Sequence, residues 1–363
     1  MKKIITVAVC ALLCVASLMS CKPAKDYVEV TTEKQLGILG TPDVGGVSEF
    51  KDYAMCSDNY AMYVGEYYYF FFTYLSQFVN NYTVDQYKEL NFDPDTSLKE
   101  QYVKDGSKTW YDFFKELTVE YMEMILLSCE AAKKTDSSYA KEAKNYVNAI
   151  KAEMDSVAKA NGITFAELVY QLYGGNVSTQ SSLNAIQMEY IHSLFYAEKY
   201  NTIHEAIDKD EAKTYGDSLE GEKDTSLTRN LAYVMIDDGE AKAGAFFEAF
   251  NATQEKSVDA LKALANENDY VSGTFDNNEE DTISAKEISK WLFDKDRQIG
   301  DIANILVKDD GYYIVYYYAD GYEKYIADAK DKLANKKTDD FYNSLKNEFS
   351  LKSSEEILDS LNA

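Results

Sequence analysis

The sequence predicts an α+β protein that is mostly helical, with a compact α+β module inserted ahead of a closing pair of helices. Three patterns carry that expectation. Apolar residues recur at i, i+3 and i+4 through most of 64–207, the spacing of amphipathic helices. Alternating runs at 231–236 and 311–318 read as strands. Helical periodicity returns after Gly321.

At the amino terminus, Lys2 and Lys3 precede an apolar run over 4–19, a charged n-region followed by an h-region. A run of about 16 residues is short of the roughly 20 that cross a bilayer. It ends in Leu18-Met19-Ser20-Cys21, which resembles a bacterial lipobox, where a small residue precedes the cysteine that is diacylated. Residues 1–20 are thus expected to be a lipoprotein signal peptide and Cys21 the lipidated first residue of the mature chain. Two acyl chains suffice for stable anchoring, so the expected location is the extracytoplasmic face of a cell membrane, with the lipid as the only membrane contact. The polar stretch 21–50, with Thr41-Pro42-Asp43 and Gly45-Gly46, reads as a tether with room for one short strand at 27–31.

A helical domain is expected over 51–222. It opens with a small hairpin, 52–56 and 60–63, around Ser57-Asp58-Asn59. The helix over 64–81 follows, with rings all round it at Tyr67, Tyr68, Tyr69, Phe70, Phe71, Phe72, Tyr74 and Phe78. Such a helix is buried on several sides or offers a sticky face. The second helix starts at Thr109, with Asp112 as the partner in a capping box, and runs to Lys134. A third over 139–160 is stopped by Asn161-Gly162. Thr164 and Glu167 cap a fourth that Gly174 ends. The fifth spans 181–207, and a short helix and turn occupy 210–222.

The module over 225–318 is expected to hold a strand at 231–236, helices at 240–252 and 257–266, a short helix at 286–293 and an aromatic strand at 311–318. Helices over 321–335 and 339–349, within the segment 319–363, are expected to pack on the helical domain.

The charge balance narrows function. Formal charge is −25, and loss of Lys2 and Lys3 with the leader takes it to −27. A surface this acidic repels phosphate backbones, so nucleic acid is not an expected partner. Cys56 and Cys129 read as small buried hydrophobes rather than a disulfide framework. The two histidines, His192 and His204, lie twelve residues apart on one helix, too far to form a ligand pair, so no metal and no cofactor are expected. Glu279-Glu280-Asp281 lacks EF-hand spacing. Hydrolase motifs are missing too, and no histidine follows His204 to serve as a base.

Within the module, Trp291-Leu292-Phe293, Gly300-Asp301-Ile302, Leu306-Val307 and Gly311-Tyr312-Tyr313-Ile314-Val315 follow one another at a spacing that resembles the second half of a parvulin-type peptidyl-prolyl isomerase domain. Upstream, 231–236 is similar to the first parvulin strand and Ser257-Val258-Asp259-Ala260-Leu261 to a parvulin helix. With the lipobox and the flanking helices, the layout resembles the PrsA-type and SurA-type extracytoplasmic foldases. The helical part from Tyr53 to Lys134 is similar to SurA-like domains. The resemblance implies a chaperone domain, unfolded or newly exported polypeptides as partners, and a prolyl-isomerase site at Tyr233, Phe293 and Tyr313. Both parvulin histidines are tyrosine here, at Tyr233 and Tyr313, and the glycine-rich loop between the halves shrinks to Ser272-Gly273-Thr274-Phe275-Asp276.

The leading expectation is therefore a membrane-anchored chaperone that holds exported chains through Tyr67, Tyr68, Phe71, Tyr74 and Phe78, with a catalytically silent module. An active isomerase is the first alternative, because a twisted amide can be stabilised by shape and hydrogen bonding without a nucleophile. A solute-binding or adhesive lipoprotein is the second. The aromatic helices also leave open a homodimer.

Overall fold

The computed structural model describes residues 53–135, 138–236, 239–265, 270–275, 286–308 and 310–360. Cys21 and the segments 1–20 and 21–50, expected as signal peptide and tether, lie outside them, as does the acidic run 279–281. The chain divides into two compact units, one made of the described residues up to Asn201 together with those from Thr338, the other of Thr202–Lys337. No helix among the described residues is long and apolar enough to cross a membrane.

In the helical unit, β1 (Tyr53–Cys56) and β2 (Ala61–Tyr63) form the expected antiparallel hairpin. Glu130, buried, accepts from the Ser57 hydroxyl at 2.7 Å and from the backbone and side-chain amides of Asn59 at 2.5 and 2.7 Å. One carboxylate thus satisfies a turn that would otherwise bury unpaired donors. The hairpin leads into α1 (Val64–Asn81), where Glu66 closes a capping box on the Tyr63 amide. Gly65 is required there, since a Cβ would lie 2.2 Å from the Ser181 hydroxyl. α2 (Val84–Leu90), capped by Thr83 and Gln86, has too few apolar positions for periodicity to find it. α3 (Trp110–Thr135) begins at the Thr109–Asp112 box. α4 (Ser138–Ala160), α5 (Phe165–Tyr173) and α6 (Thr179–Ala206) fall within two residues of their expected bounds.

Among the described residues, a core of this unit is built on Phe70, Phe71, Phe114, Met122, Ile125 and Phe195. Cys56 and Cys129 are free, buried thiols, and burial raises the pKa of both.

The second unit holds α7 (Lys209–Ser218) and a four-stranded antiparallel sheet of order β4-β3-β6-β5: β3 (Leu227–Ile236), β4 (Tyr270–Phe275), β5 (Ile302–Val307) and β6 (Gly311–Glu323). Alternation divides β3. Ala232 and Val234 join Phe250 and Leu261 from α8 (Glu240–Asn251) and α9 (Val258–Leu264), while Leu231 joins Ile288 and Leu292 from α10 (Lys286–Leu292). The segment 272–275, expected as a shortened loop, is strand β4, hydrogen-bonded along β3; Asp276 is outside the described residues. Only Ser272 and Gly273 lack strand propensity, while Tyr270, Val271, Thr274 and Phe275 favour a strand, and pairing with β3 carries the segment through the glycine.

The two closing helices are one, α11 (Lys324–Glu348), whose first half belongs to this unit and whose second half to the helical one. No glycine or proline interrupts it, and Thr338, at the expected break, is fully buried. α7 meets the first half of α11 at Gly216, where a Cβ would come within 3.0 Å of the Ala329 methyl. This helix pair extends the second unit beyond 225–318. The second half of α11 packs in the helical core through Tyr342 and Leu345. The chain then closes with β7 (Lys352–Ser353), antiparallel to β1, and α12 (Glu355–Ser360), both unforeseen in a polar end.

Candidate functional site

The rings of α1 come first, because the sequence offered five of them as a client surface. Tyr67, Tyr68 and Phe71 are buried in the helical core. Phe71 packs against the rings of Tyr67, Phe72, Tyr111 and Phe114 at centroid distances of 5.6–6.1 Å. Tyr74 and Phe78, on the later turns, are half-buried. Tyr74 meets the Tyr121 ring edge-on at 5.5 Å, and Phe78 is surrounded by Tyr82, Tyr87, Phe92, Trp110 and Phe114. A helix with rings on every side resolves here by burial on several sides, because α3 and α5 flank it. Among the described residues of the helical unit, the exposed large apolar side chains are Tyr82, 40% exposed just past the end of α1, and Tyr102, 52% exposed.

The three module residues do converge. Tyr233 on β3 and Tyr313 on β6 stand on one face of the sheet, diagonal in a register that pairs Tyr233 with Val315 and Met235 with Tyr313. Their ring centroids are 5.5 Å apart. The Tyr313 hydroxyl donates to the Asp310 carboxylate and lies 3.3 Å from the Met235 sulfur. Phe293, just past α10, packs on the same cluster with Trp291, Ala303 and Ile305. Tyr233, Met235, Trp291 and Phe293 are all half-buried, so the cluster has an accessible apolar rim above a sealed floor of Leu231, Leu292 and Val315.

The two arginines of the whole chain flank this cluster. Sequence reading missed them, although their rarity among 37 cationic residues was a signal. Arg229, on β3, stacks over Phe293 at 5.6 Å and Tyr317 at 5.1 Å and donates to the carbonyls of Leu292 and, at 3.3 Å, Asp294. Arg297 lies 4.2 Å over the Trp291 ring and donates to the Trp291 carbonyl and the Asp301 carboxylate, each at 3.1 Å. Both guanidiniums thereby satisfy carbonyls at the end of α10, the negative end of its dipole. A planar fork that donates and stacks at once is what lysine cannot supply. The arginines fix the helix that carries Trp291 and Phe293.

Electrostatically the three phenols of the cluster are not bases at neutral pH. Burial raises the Tyr233 phenol, with the Asp310 charge adding to it. Tyr313 is raised by burial and by its hydrogen bond to Asp310. Tyr317 is pushed to about 12 by burial and by donating to Asp320. All three phenols keep their protons near neutrality, so they can donate hydrogen bonds or present ring faces. They cannot accept a proton in a reaction.

The buried histidine of the helical unit belongs to the core. His192 Nδ1 lies 2.8 Å from the Ser128 hydroxyl, itself 2.8 Å from the Tyr342 hydroxyl. Burial lowers its pKa to about 4. The other histidine, His204, lies 2.9 Å from the Asp331 carboxylate.

No protein-family model matches the chain, and no curated protein matches it. Among solved structures the chain is similar to PrsA from Bacillus subtilis, at 16% identity and a TM-score of 0.35, over 70% of this chain and 90% of that one. It is similar to the foldase protein PrsA from Streptococcus pneumoniae, at 15% identity and a TM-score of 0.25, over 69% and 89%. A SurA-like chaperone of Campylobacter jejuni is similar at 10% identity and a TM-score of 0.26, over 84% and 99%.

Proposed function

We propose that this chain is an extracytoplasmic chaperone, held at a membrane by a lipid on Cys21, that binds unfolded exported polypeptides and whose module binds them without isomerising prolyl bonds. The observation that carries this reading is the pair of protonated phenols, Tyr233 and Tyr313, bordered by the half-buried apolar rim of Met235, Trp291 and Phe293. Such a rim removes apolar side chains of a client from water, at about 25 cal/mol per Å². The phenols can hydrogen-bond a client backbone. Rotation about an X-Pro bond still faces its barrier of about 18–20 kcal/mol, which falls only if the twisted amide is bound better than the planar one. Ring faces and an already engaged Tyr313 hydroxyl favour neither.

Two assays run side by side test this. The protein is expected to suppress aggregation of a chemically unfolded exported protein and to leave isomerisation of a prolyl peptide at the background rate. A rate above background that drops in Phe293→Ala would overturn the silent module, and failure to suppress aggregation removes the chaperone reading. The anchor has its own measurement. Intact mass of the membrane-extracted protein should show a diacylglyceryl group on a chain beginning at Cys21, and Cys21→Ser should abolish it; an unmodified mature mass refutes the lipid.

A further inference from the structure

β5 is the outermost strand of the module's sheet, and among the described residues no strand lies beyond it. Its register with β6 runs unbroken from Ile302↔Tyr316 to Val307↔Gly311. The N–H and C=O groups on its other side therefore face outward, a template for one more strand. Natural edges are blunted by charge, proline, a bulge or a covering segment. β5 reads Ile-Ala-Asn-Ile-Leu-Val, with no charge, no proline and no bulge. Leu306, on the strand, is 57% exposed, and Ile299, three residues before it, is 56% exposed. Meanwhile Ala303 and Ile305 pack on the Tyr313 cluster and Ile302 on the Phe250 and Tyr316 cluster of the opposite face, so the strand is held from both faces and, among the described residues, has no strand along its outer edge.

We propose that the β5 edge binds an extended, basic-flanked polypeptide segment of another protein as an added strand; this rests on the chaperone reading above and names how a client is held. Outward backbone groups recognise backbone, whatever the side chains, which is the tolerance a holder of many clients needs. Charge selects the occupant. Two copies of a chain carrying −25 repel each other, whereas a basic segment is attracted. Size fits as well. β5, from Ile302 to Val307, offers roughly 20 Å of extended chain at about 3.3 Å per residue, and one strand of that length covers less than the ~1,200 Å² of a stable interface. The contact is short-lived, as release of a client requires.

The test uses the full mature protein and a labelled heptapeptide of alternating valine and threonine flanked by lysines. Saturable binding by anisotropy is expected, with slowed amide exchange confined to 302–307. N-methylation of alternate peptide amides should weaken binding at least tenfold. Leu306→Glu, which keeps the attraction for a cationic probe, should weaken it about tenfold by losing the apolar contact, with an unchanged thermal midpoint. Binding indifferent to both changes overturns the proposal. Protection appearing over 64–81 instead overturns the edge but leaves the chaperone reading standing. Peptide binding at the edge by a protein that fails to suppress aggregation does the reverse. Wild-type dimers in sedimentation that dissociate in Leu306→Glu would assign the edge to a second copy and overturn the client.

Discussion

Phe71→Ala is expected to remove about 3–5 kcal/mol from the stability of the helical unit, the usual cost of emptying a buried phenylalanine site. The ring is fully buried and touches four other aromatic rings, two from α1 and two from α3, so the hole it leaves is lined by groups that both helices hold in place. Partial collapse cannot fill it cheaply. Domains are stable by only about 5–15 kcal/mol, so a loss of this size leaves the unit partly unfolded at physiological temperature. The midpoint of denaturant unfolding should fall with little change in slope. Tyr74→Ala, at a half-buried ring, should cost less than half as much. The comparison separates two roles for α1. A client-binding Phe71 would give the opposite pattern, an unchanged midpoint with weaker aggregation suppression, and that result would restore it to the binding surface.

The same residues show what could be read ahead of the structure. Helix bounds at 64–81, 110–135 and 165–173 were legible because their starts and stops are local chemistry: capping boxes at Thr109 and Thr164, and Gly174 at a positive φ of 76°. α2 and β4 were not, because each is short and depends on partners distant in sequence. The direction in which α1 turns its rings was equally hidden. Periodicity says that apolar residues share a face, and α1 has them on all faces, so only the packing of α3 and α5 decides which are sealed.

For the module, the convergence of Tyr233, Phe293 and Tyr313 was legible from spacing that resembles parvulins, and the pairing of β3 with β6 brings them together. The arginines that pin α10 were not. Arg229 lies 63 residues from the Leu292 carbonyl it serves, and no periodicity links them. The open edge at β5 was likewise invisible, since which strand ends a sheet is a matter of topology.

Substituting either of two buried titratable residues of the helical unit is expected to give pH profiles of opposite slope, because in the parent they offset each other. Burial raises Glu66 from an ordinary 4.5 to about 7, against hydrogen bonds from its own backbone, Asn184 and Tyr63 that favour the charge. A carboxyl with a raised folded pKa contributes stability that is fully present below 4.5 and lost as pH climbs through 7. His192 is depressed from 6.5 to about 4, so its contribution is present above 6.5 and lost as pH falls through 4. Between 4.5 and 6.5 folding takes up about one proton at Glu66 and releases about one at His192, and the two slopes cancel. Each alone amounts to about 3 kcal/mol over its window, at roughly 1.4 kcal/mol per pH unit. Glu66→Gln should therefore make the unit gain stability, relative to the parent, as pH rises from 4.5 to 7. His192→Phe should make it gain stability, relative to the parent, as pH falls from 6.5 to 4. Glu189, raised to about 6 by burial, is common to all three proteins and drops out of the differences. Denaturant unfolding at half-unit pH steps measures this directly, and parallel profiles in the two variants would show that neither group changes its protonation on folding.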